Sequence, residues 1–329
     1  MGMTRAHRAS MRFVILLAGL WLFASAPVFA QELESLKSGE PFALPSGFLR
    51  LGPLTSQPPA PDEPSVSGAA LTVTFVDVGQ GDSEYIELPN GQNVLIDGGP
   101  KDEAMAAFLG SRGITHIDHV VLTHPHSDHY NGLRHVFNAT QVDNFYDNRV
   151  DNASATGDDK VRAQAAAEPG CKRHYPVAGE LLDWGPGVEA KVFHSCPEAG
   201  AKTKSSELNN CSIVIKLSYA GSSVLFMGDL GIPVETELVS RYGDELRADV
   251  LKVGHHGSYS SSTAEFLSKV RPKDAYISLA AGNDYGHPHQ VALDRIEAVG
   301  AEVHRTDKKG TMTRTIGRPA APLVASSAP

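Results

Sequence analysis

A chain of 329 residues with 41% hydrophobic content can fill one large core or two modest ones, and a formal charge of −9 argues against a protein that works by neutralising long phosphate tracks. Three cysteines (Cys171, Cys196, Cys211), none in CxxC spacing, argue against a cysteine zinc site and allow at most one intramolecular disulfide. The spacing does not choose the partners; Cys171 with Cys196 is one pair compatible with it.

In chain order, Arg5, Arg8 and Arg12 precede the apolar run "FVILLAGLWLF", and "APVFA" follows with small residues at Val28 and Ala30. A basic region, a short apolar region and a small-residue site describe a secretory signal peptide over residues 1–30, cleaved after Ala30. The competing expectation is an uncleaved anchor, because 13–30 is near the minimum spanning length. Cleavage would take the charge from −9 to about −12 through loss of those three arginines. The protein is therefore expected to be exported, to the periplasm or the extracellular space, with no multi-span membrane region. Residues 31–70, rich in Pro, Ser and Gly, read as a linker. A domain follows over 71–317, and 318–329 reads as a disordered Pro/Ala/Ser tail.

Within the domain, "LTVTFVDVGQGD" alternates and then turns on glycine, and "NG" at 90–91 predicts a hairpin before "QNVLIDGG". "EAMAAFLGSRG" predicts a helix ending near Gly113, and "IDHVVLTH" a buried strand. Residues 148–173 have poor periodicity and are expected to form a mobile insertion beside the site. Strands then alternate with helices at "PVETELVSRYG", "STAEFLSKV" and "QVALDRIEAVG". The pattern predicts an α/β domain of sheets covered by helices.

Four clusters carry chemistry, each at the end of an apolar strand. "THPHSDH" places His124 and His126 two apart on extended chain, where both side chains can converge on one ion; Asp128 and His129, past the turn, can face a second. Asp229 in "VLFMGDL" emerges where its strand ends, placed to bridge two cations through its two oxygens. In "DVLKVGHHGS", adjacent His255 and His256 point different ways, so one is a metal ligand and the other meets substrate or supports the ligands. In "GNDYGHPHQ", Asn283, Tyr285 and His287 offer an amide, a phenol and an imidazole on the substrate side.

This ordered series, with "VDVGQGD", "LIDGG", "LTHPHSDH", "MGDL", "LKVGHHGS" and "YGHPH", resembles the metallo-β-lactamase superfamily over about 71–317. More narrowly it is similar to the hydrolase domain of ComEC-type competence DNA-uptake proteins and their stand-alone relatives. The resemblance implies a single-domain αββα four-layer sandwich with a binuclear site at the sheet edges, holding two divalent ions, zinc or manganese. It implies His124 and His126 on the first ion, and Asp128, His129 and His255 (or His256) on the second, with Asp229 bridging. Asp97 would orient a ligand histidine, and Asp77, Gln80 and Asp82 would shape the neighbouring loop. Many superfamily members have a further histidine where "NNCS" stands here; Asn209 or Asn210 occupies that place, and His194 is a substitute ligand.

The chemistry implied is attack by hydroxide held between the ions, with Asp128 and His287 as the catalytic side chains. The substrate class expected is anionic or an ester: a phosphodiester first, with single-stranded nucleic acid or a nucleotide as the form and no strong duplex binding. An ester, lactone or amide is the alternative, and a non-catalytic metal-binding docking domain the second. Neither oligomeric state nor the choice of metal is legible.

Overall fold

Leu71, Val73 and Phe75 lie on one face of the first strand and are all fully buried, the period-two pattern of a strand with a core behind it. The computed structural model describes residues 69–317 apart from Pro197 and Thr203. The expected signal peptide, all but the last two residues of the linker, and the tail lie outside the described residues. Among the described residues no helix is long and apolar enough to cross a membrane.

The strands in chain order are β1 (Leu71–Phe75), β2 (Glu84–Glu87), β3 (Asn93–Ile96), β4 (His116–Leu122), β5 (Gln141–Asp147), β6 (Val150–Asn152), β7 (Lys172–His174), β8 (Leu181–Leu182), β9 (Val188–His194) and β10 (Gly200–Lys202). They continue with β11 (Val214–Tyr219), β12 (Ser222–Phe226), β13 (Val250–Lys252), β14 (Asp274–Ile277), β15 (Glu302–Arg305) and β16 (Met312–Ile316). One seven-stranded sheet runs β16-β1-β2-β3-β4-β5-β7, a second β15-β14-β13-β12-β11-β9-β8, and β6 pairs with β10 beside them. The predicted hairpin is there, β2 running antiparallel to β3 across Asn90 and Gly91.

The two sheets face each other across a core of Phe75, Ile86, Ile96 and Val121 from the first, against Val192, Ile215, Phe226 and Tyr276 from the second. Phe75 stacks on Tyr276 with ring centroids 3.9 Å apart. The outer face of the first sheet is covered by helices Asp102–Arg112, Leu133–Ala139 and Gly157–Ala167, which bury Met105, Val136 and Val161. The outer face of the second is covered by Ile232–Tyr242, Ala264–Val270 and Gln290–Ala298, through Leu238, Phe266 and Ile296. This is the αββα sandwich.

In each sheet the strands β3-β4-β5-β7 and β12-β13-β14-β15 pair in parallel, so their carboxyl ends open at one edge, where ligands collect in such sheets. Asp97, His124, Asp229, His256 and His287 all follow those ends.

The 148–173 segment differs from its expectation. It holds β6, an eleven-residue helix and β7, and buries Val161 and Asp158 completely. Its polar composition masks the order because charged groups are paired inside it: Arg162 meets Asp147 and Asp158, each at 2.7 Å. The cysteines also differ: Cys196 joins Cys211, with Cα atoms 4.9 Å apart, and Cys171 is free. The loop 195–211 returns to β11 and brings those two together, whereas Cys171 packs on the outer helical face of the first sheet.

Candidate metal centre

The loop after β4 begins at Thr123. Its backbone N–H and hydroxyl both donate to the buried Asp97 carboxylate, at 2.8 and 2.6 Å. Asp97 Oδ2 also accepts from His129 Nδ1 at 2.7 Å, which fixes that ring's proton on Nδ1 and turns Nε2 into the site. His124 Nδ1 is within reach of Thr123 Oγ1 (3.1 Å) and Ser212 Oγ (3.3 Å), leaving its Nε2 inward. The loop is pressed against its neighbour at Gly81, where a Cβ would sit 2.2 Å from the Asp128 carbonyl oxygen.

After β13, His255 and His256 both take left-handed backbone angles, φ 50° and 52°. The turn sends the two rings apart. His256 is buried, donates from Nδ1 to the Ser278 carbonyl at 2.9 Å, and points Nε2 inward. His255 is half-exposed, with Nδ1 3.1 Å from Ser260 Oγ and Nε2 3.3 Å from Asn209 Nδ2.

Everything converges on Asp229, whose backbone N–H donates to Ser212 Oγ at 3.0 Å. Its Oδ2 lies 3.4 Å from His129 Nε2, 3.5 Å from His256 Nε2, 3.8 Å from His124 Nε2 and 4.0 Å from His255 Nε2. Two groups share it. Asp128, His129, Asp229 and His256 bring one ligand atom each within 4.8 Å of one another, and so do His124, His126 and Asp229. His129 Nε2, His256 Nε2 and Asp229 Oδ1 are buried without a hydrogen-bond partner. Lone pairs buried together and turned on one point fit bound metal, because hydrogen bonding leaves them unsatisfied.

Electrostatics says the same. Burial disfavours charge on these groups, yet Asp229, with Asp97 and Asp128, outweighs it and holds the His129 imidazole well above its ordinary value. Asp229 and Asp82 do so for His256, and those two imidazoles hold Asp229 well below the usual carboxylate range. His124, by contrast, is held well below by burial and by His129. The acidic side chains thus call for positive charge at this point.

The structure revises several expectations. His256, and not His255, belongs to the four-ligand group, because only its ring is driven inward by the left-handed turn. Asn209 lines the cleft, while Asn210 Oδ1 accepts from Gly231 N and steadies the loop after Asp229. His194 bonds to the Asn210 carbonyl at 2.8 Å and is no ligand substitute. Asn283 spends its amide on the Ala280 and His287 carbonyls and on the Tyr285 and His287 N–H groups, so it shapes the loop and leaves substrate to its neighbours. Asp77 is exposed and closes the turn at Gly79.

Other groups had weaker signals. Lys252 is buried behind His256 with Nζ 2.6 Å from Asp82 Oδ2, and Asp82 Oδ1 lies 3.2 Å from His256 Nδ1. A lysine inside the apolar run "VLKV" was its only mark. Ser205, whose hydroxyl is 3.3 Å from His126 Nε2, had none.

The site opens into a cleft of about 170 Å³ whose walls include Gln80, Ser127, Asp128, Ser205, Asn209 and His287. Tyr285, well exposed, stacks near His287 with centroids 5.6 Å apart. Burial and the neighbouring His256 and His255 push His287 down to about 4, so its imidazole is neutral at pH 7.

The sequence profile of the Metallo-beta-lactamase superfamily matches residues 76–281. ComE operon protein 3 of Bacillus subtilis (strain 168) is 32% identical over 263 residues, covering 73% of this chain and 32% of that protein. Competence protein ComA of Neisseria gonorrhoeae is 30% identical over 249 residues, 75% of this chain and 32% of that one. The chain thus spans about a third of the length of the curated relatives it matches. Among solved structures, the metallo-beta-lactamase fold protein YhfI from Bacillus subtilis aligns with TM-score 0.49 and 12% identity, over 75% of this chain and 99% of that one.

Proposed function

The chain belongs to the metallo-beta-lactamase superfamily, and from that premise we propose a metal-dependent hydrolase that binds two divalent ions, zinc or manganese, and cleaves a phosphodiester. The observation that carries the reading is the single carboxylate oxygen of Asp229 set within 3.8 Å of the Nε2 atoms of His124, His129 and His256, with His126 clustered beside His124. One ion would be held by His124, His126 and Asp229, the other by Asp128, His129, His256 and Asp229. Bound there, the ions would lower the pKa of water enough to make hydroxide available near neutral pH.

The chain's own residues supply the rest. Asp128 is partly open to the cleft, so its carboxylate can orient the attacking water while it faces His256. His287, neutral and on the cleft wall, can donate a hydrogen bond to the oxygen that gains negative charge, without repelling the ions. Hydroxyl, amide and imidazole groups on the wall suit a polar, anionic group better than an acyl chain or lactone ring. The Cys196–Cys211 disulfide, which persists in oxidising compartments, supports export. One observation favours a non-catalytic metal-binding domain: Asn209, on the cleft wall against His255, offers an amide where many superfamily members have a histidine.

The test is metal content together with turnover of bis-p-nitrophenyl phosphate, with and without added manganese or zinc, for the wild type and Asp229→Asn. About two ions per chain, chelator-sensitive turnover and a loss of at least ~100-fold in the variant are expected. Metal binding with no turnover of this diester or of carboxylic esters would leave the docking domain.

A further inference from the structure

The molecule is acidic, yet one small cavity gathers three arginines. It measures about 90 Å³, enough for one small oxyanion, and is lined by Phe145, Asp147, Arg149, Arg162, Arg173 and Tyr175. It lies at the open edge of the first sheet, where β7 is the last strand and Arg173 pairs in register with Phe145. Arg162 is committed: it carries the buried carboxylates of Asp147 and Asp158. Arg149 and Arg173 meet no carboxylate within ion-pair distance among the described residues. Three guanidiniums against the two carboxylates leave a net charge of +1 here, and the two guanidiniums without a carboxylate partner line the cavity.

Arg149 is also held in place. Its backbone is left-handed (φ 59°), a conformation side chains with a Cβ rarely take, and its guanidinium lies 4.7 Å from the Tyr175 ring centre. The residues beside it are pinned to the metal-site loops. Asn148 donates to the Thr123 and Cys211 carbonyls at 3.1 and 2.8 Å, and Asn152 to the Pro125 carbonyl at 3.0 Å. One strap therefore has its anchor on the backbone that carries His124 and His126, and its guanidinium in the cavity.

We propose that Arg149 and Arg173 form a phosphate subsite that holds a second phosphate of the substrate strand, apart from the one at the metal centre. The proposal rests on the phosphodiester reading above. Two guanidiniums offer planar, multi-point hydrogen bonding to a phosphate. A single flexible strand can follow the Asn148–Asn152 strap from the metal-site loops to the sheet edge, where two guanidiniums without carboxylate partners line one cavity.

The test measures binding separately from cleavage. A fluorescein-labelled single-stranded hexanucleotide is titrated into chelator-treated protein and followed by anisotropy, for the wild type, Arg149→Gly, Arg173→Gln and the double variant. Arg149→Gly removes the guanidinium while glycine keeps the left-handed turn, so its thermal midpoint should stay level or rise. Expected are a fall in affinity of about tenfold in the double variant and a smaller salt dependence, by about 0.7 in log–log slope per lost contact. Bis-p-nitrophenyl phosphate, which carries a single phosphate, should be turned over by the metal-loaded variants at the wild-type rate.

Unchanged hexanucleotide affinity in a folded Arg149→Gly protein overturns the proposal. So does inorganic phosphate that competes as strongly as the hexanucleotide, since the cavity would then be a free-anion site. Failure of the phosphodiester reading would show separately, as wild-type protein that cleaves no diester.

Discussion

Asp97 shows how one buried carboxylate sets the character of a site it does not enter. It accepts from the Thr123 N–H, the Thr123 hydroxyl and His129 Nδ1, and so fixes both the loop and the tautomer that leaves His129 Nε2 free. Asp97→Asn offers an amide that cannot accept from all three. Metal affinity, measured by competition with a chromophoric chelator, is expected to fall by about 10–100-fold while the fold persists; unchanged affinity would reduce Asp97 to a loop brace. A second residue tests the core. His119 is buried beside Tyr146 and Trp184, and burial holds its imidazole below 6.5. The folded state therefore binds fewer protons there than the unfolded one. Its contribution is complete above pH 6.5 and is lost as pH falls through the lower folded value, with a slope of at most about 1.4 kcal/mol per pH unit. Urea unfolding at pH 7 and pH 5 should show His119→Gln losing less stability on acidification than the wild type.

The loop 195–211 illustrates what an element adds. It delivers Ser205 and Asn209 to the cleft, and the Cys196–Cys211 bond closes it at its base. A fifteen-residue closure is worth up to about 3 kcal/mol by loop entropy. Cys196→Ser with Cys211→Ser should lower stability in chemical denaturation by an amount up to that, and Cys171→Ser by much less. Equal effects would mean that the bridge does not form. The same stretch marks where sequence reasoning stops. The strand-end clusters were legible because each follows an apolar strand or a turn residue, whereas the αββα order and the role of Asp97 came from the resemblance of the motif series to a known superfamily. The cysteine pairing was not legible, since it depends on how β11 returns beside β9. Nor was the choice of His256 over His255: neighbours in sequence are separated by a left-handed turn that no periodicity announces. The 148–173 segment looked structureless because its order comes from Arg162 pairing with carboxylates, not from an apolar stripe.

On the scale of the molecule, the candidate centre is a seam. His124, His126, Asp128 and His129 belong to the loop after β4 in one sheet, and Asp229 and His256 to loops after β12 and β13 in the other. Without cations, this edge of the sandwich holds facing lone pairs and carboxylates that burial penalises; with them, both sheets are tied to the same ions. Ions that bind only the folded chain must therefore stabilise the whole domain. At a free concentration a hundred times the dissociation constant, one site contributes about 2.7 kcal/mol. For a domain of this size that raises the thermal midpoint by roughly 5–11 °C. Calorimetry of chelator-treated protein, with and without manganese or zinc, is expected to show that rise as one cooperative transition. Asp229→Asn should lose most of it, because it weakens both sites at once, whereas a change confined to the first group, such as His126→Ala, should keep the part that comes from the second. A midpoint indifferent to metal would mean that the seam closes by hydrogen bonds alone.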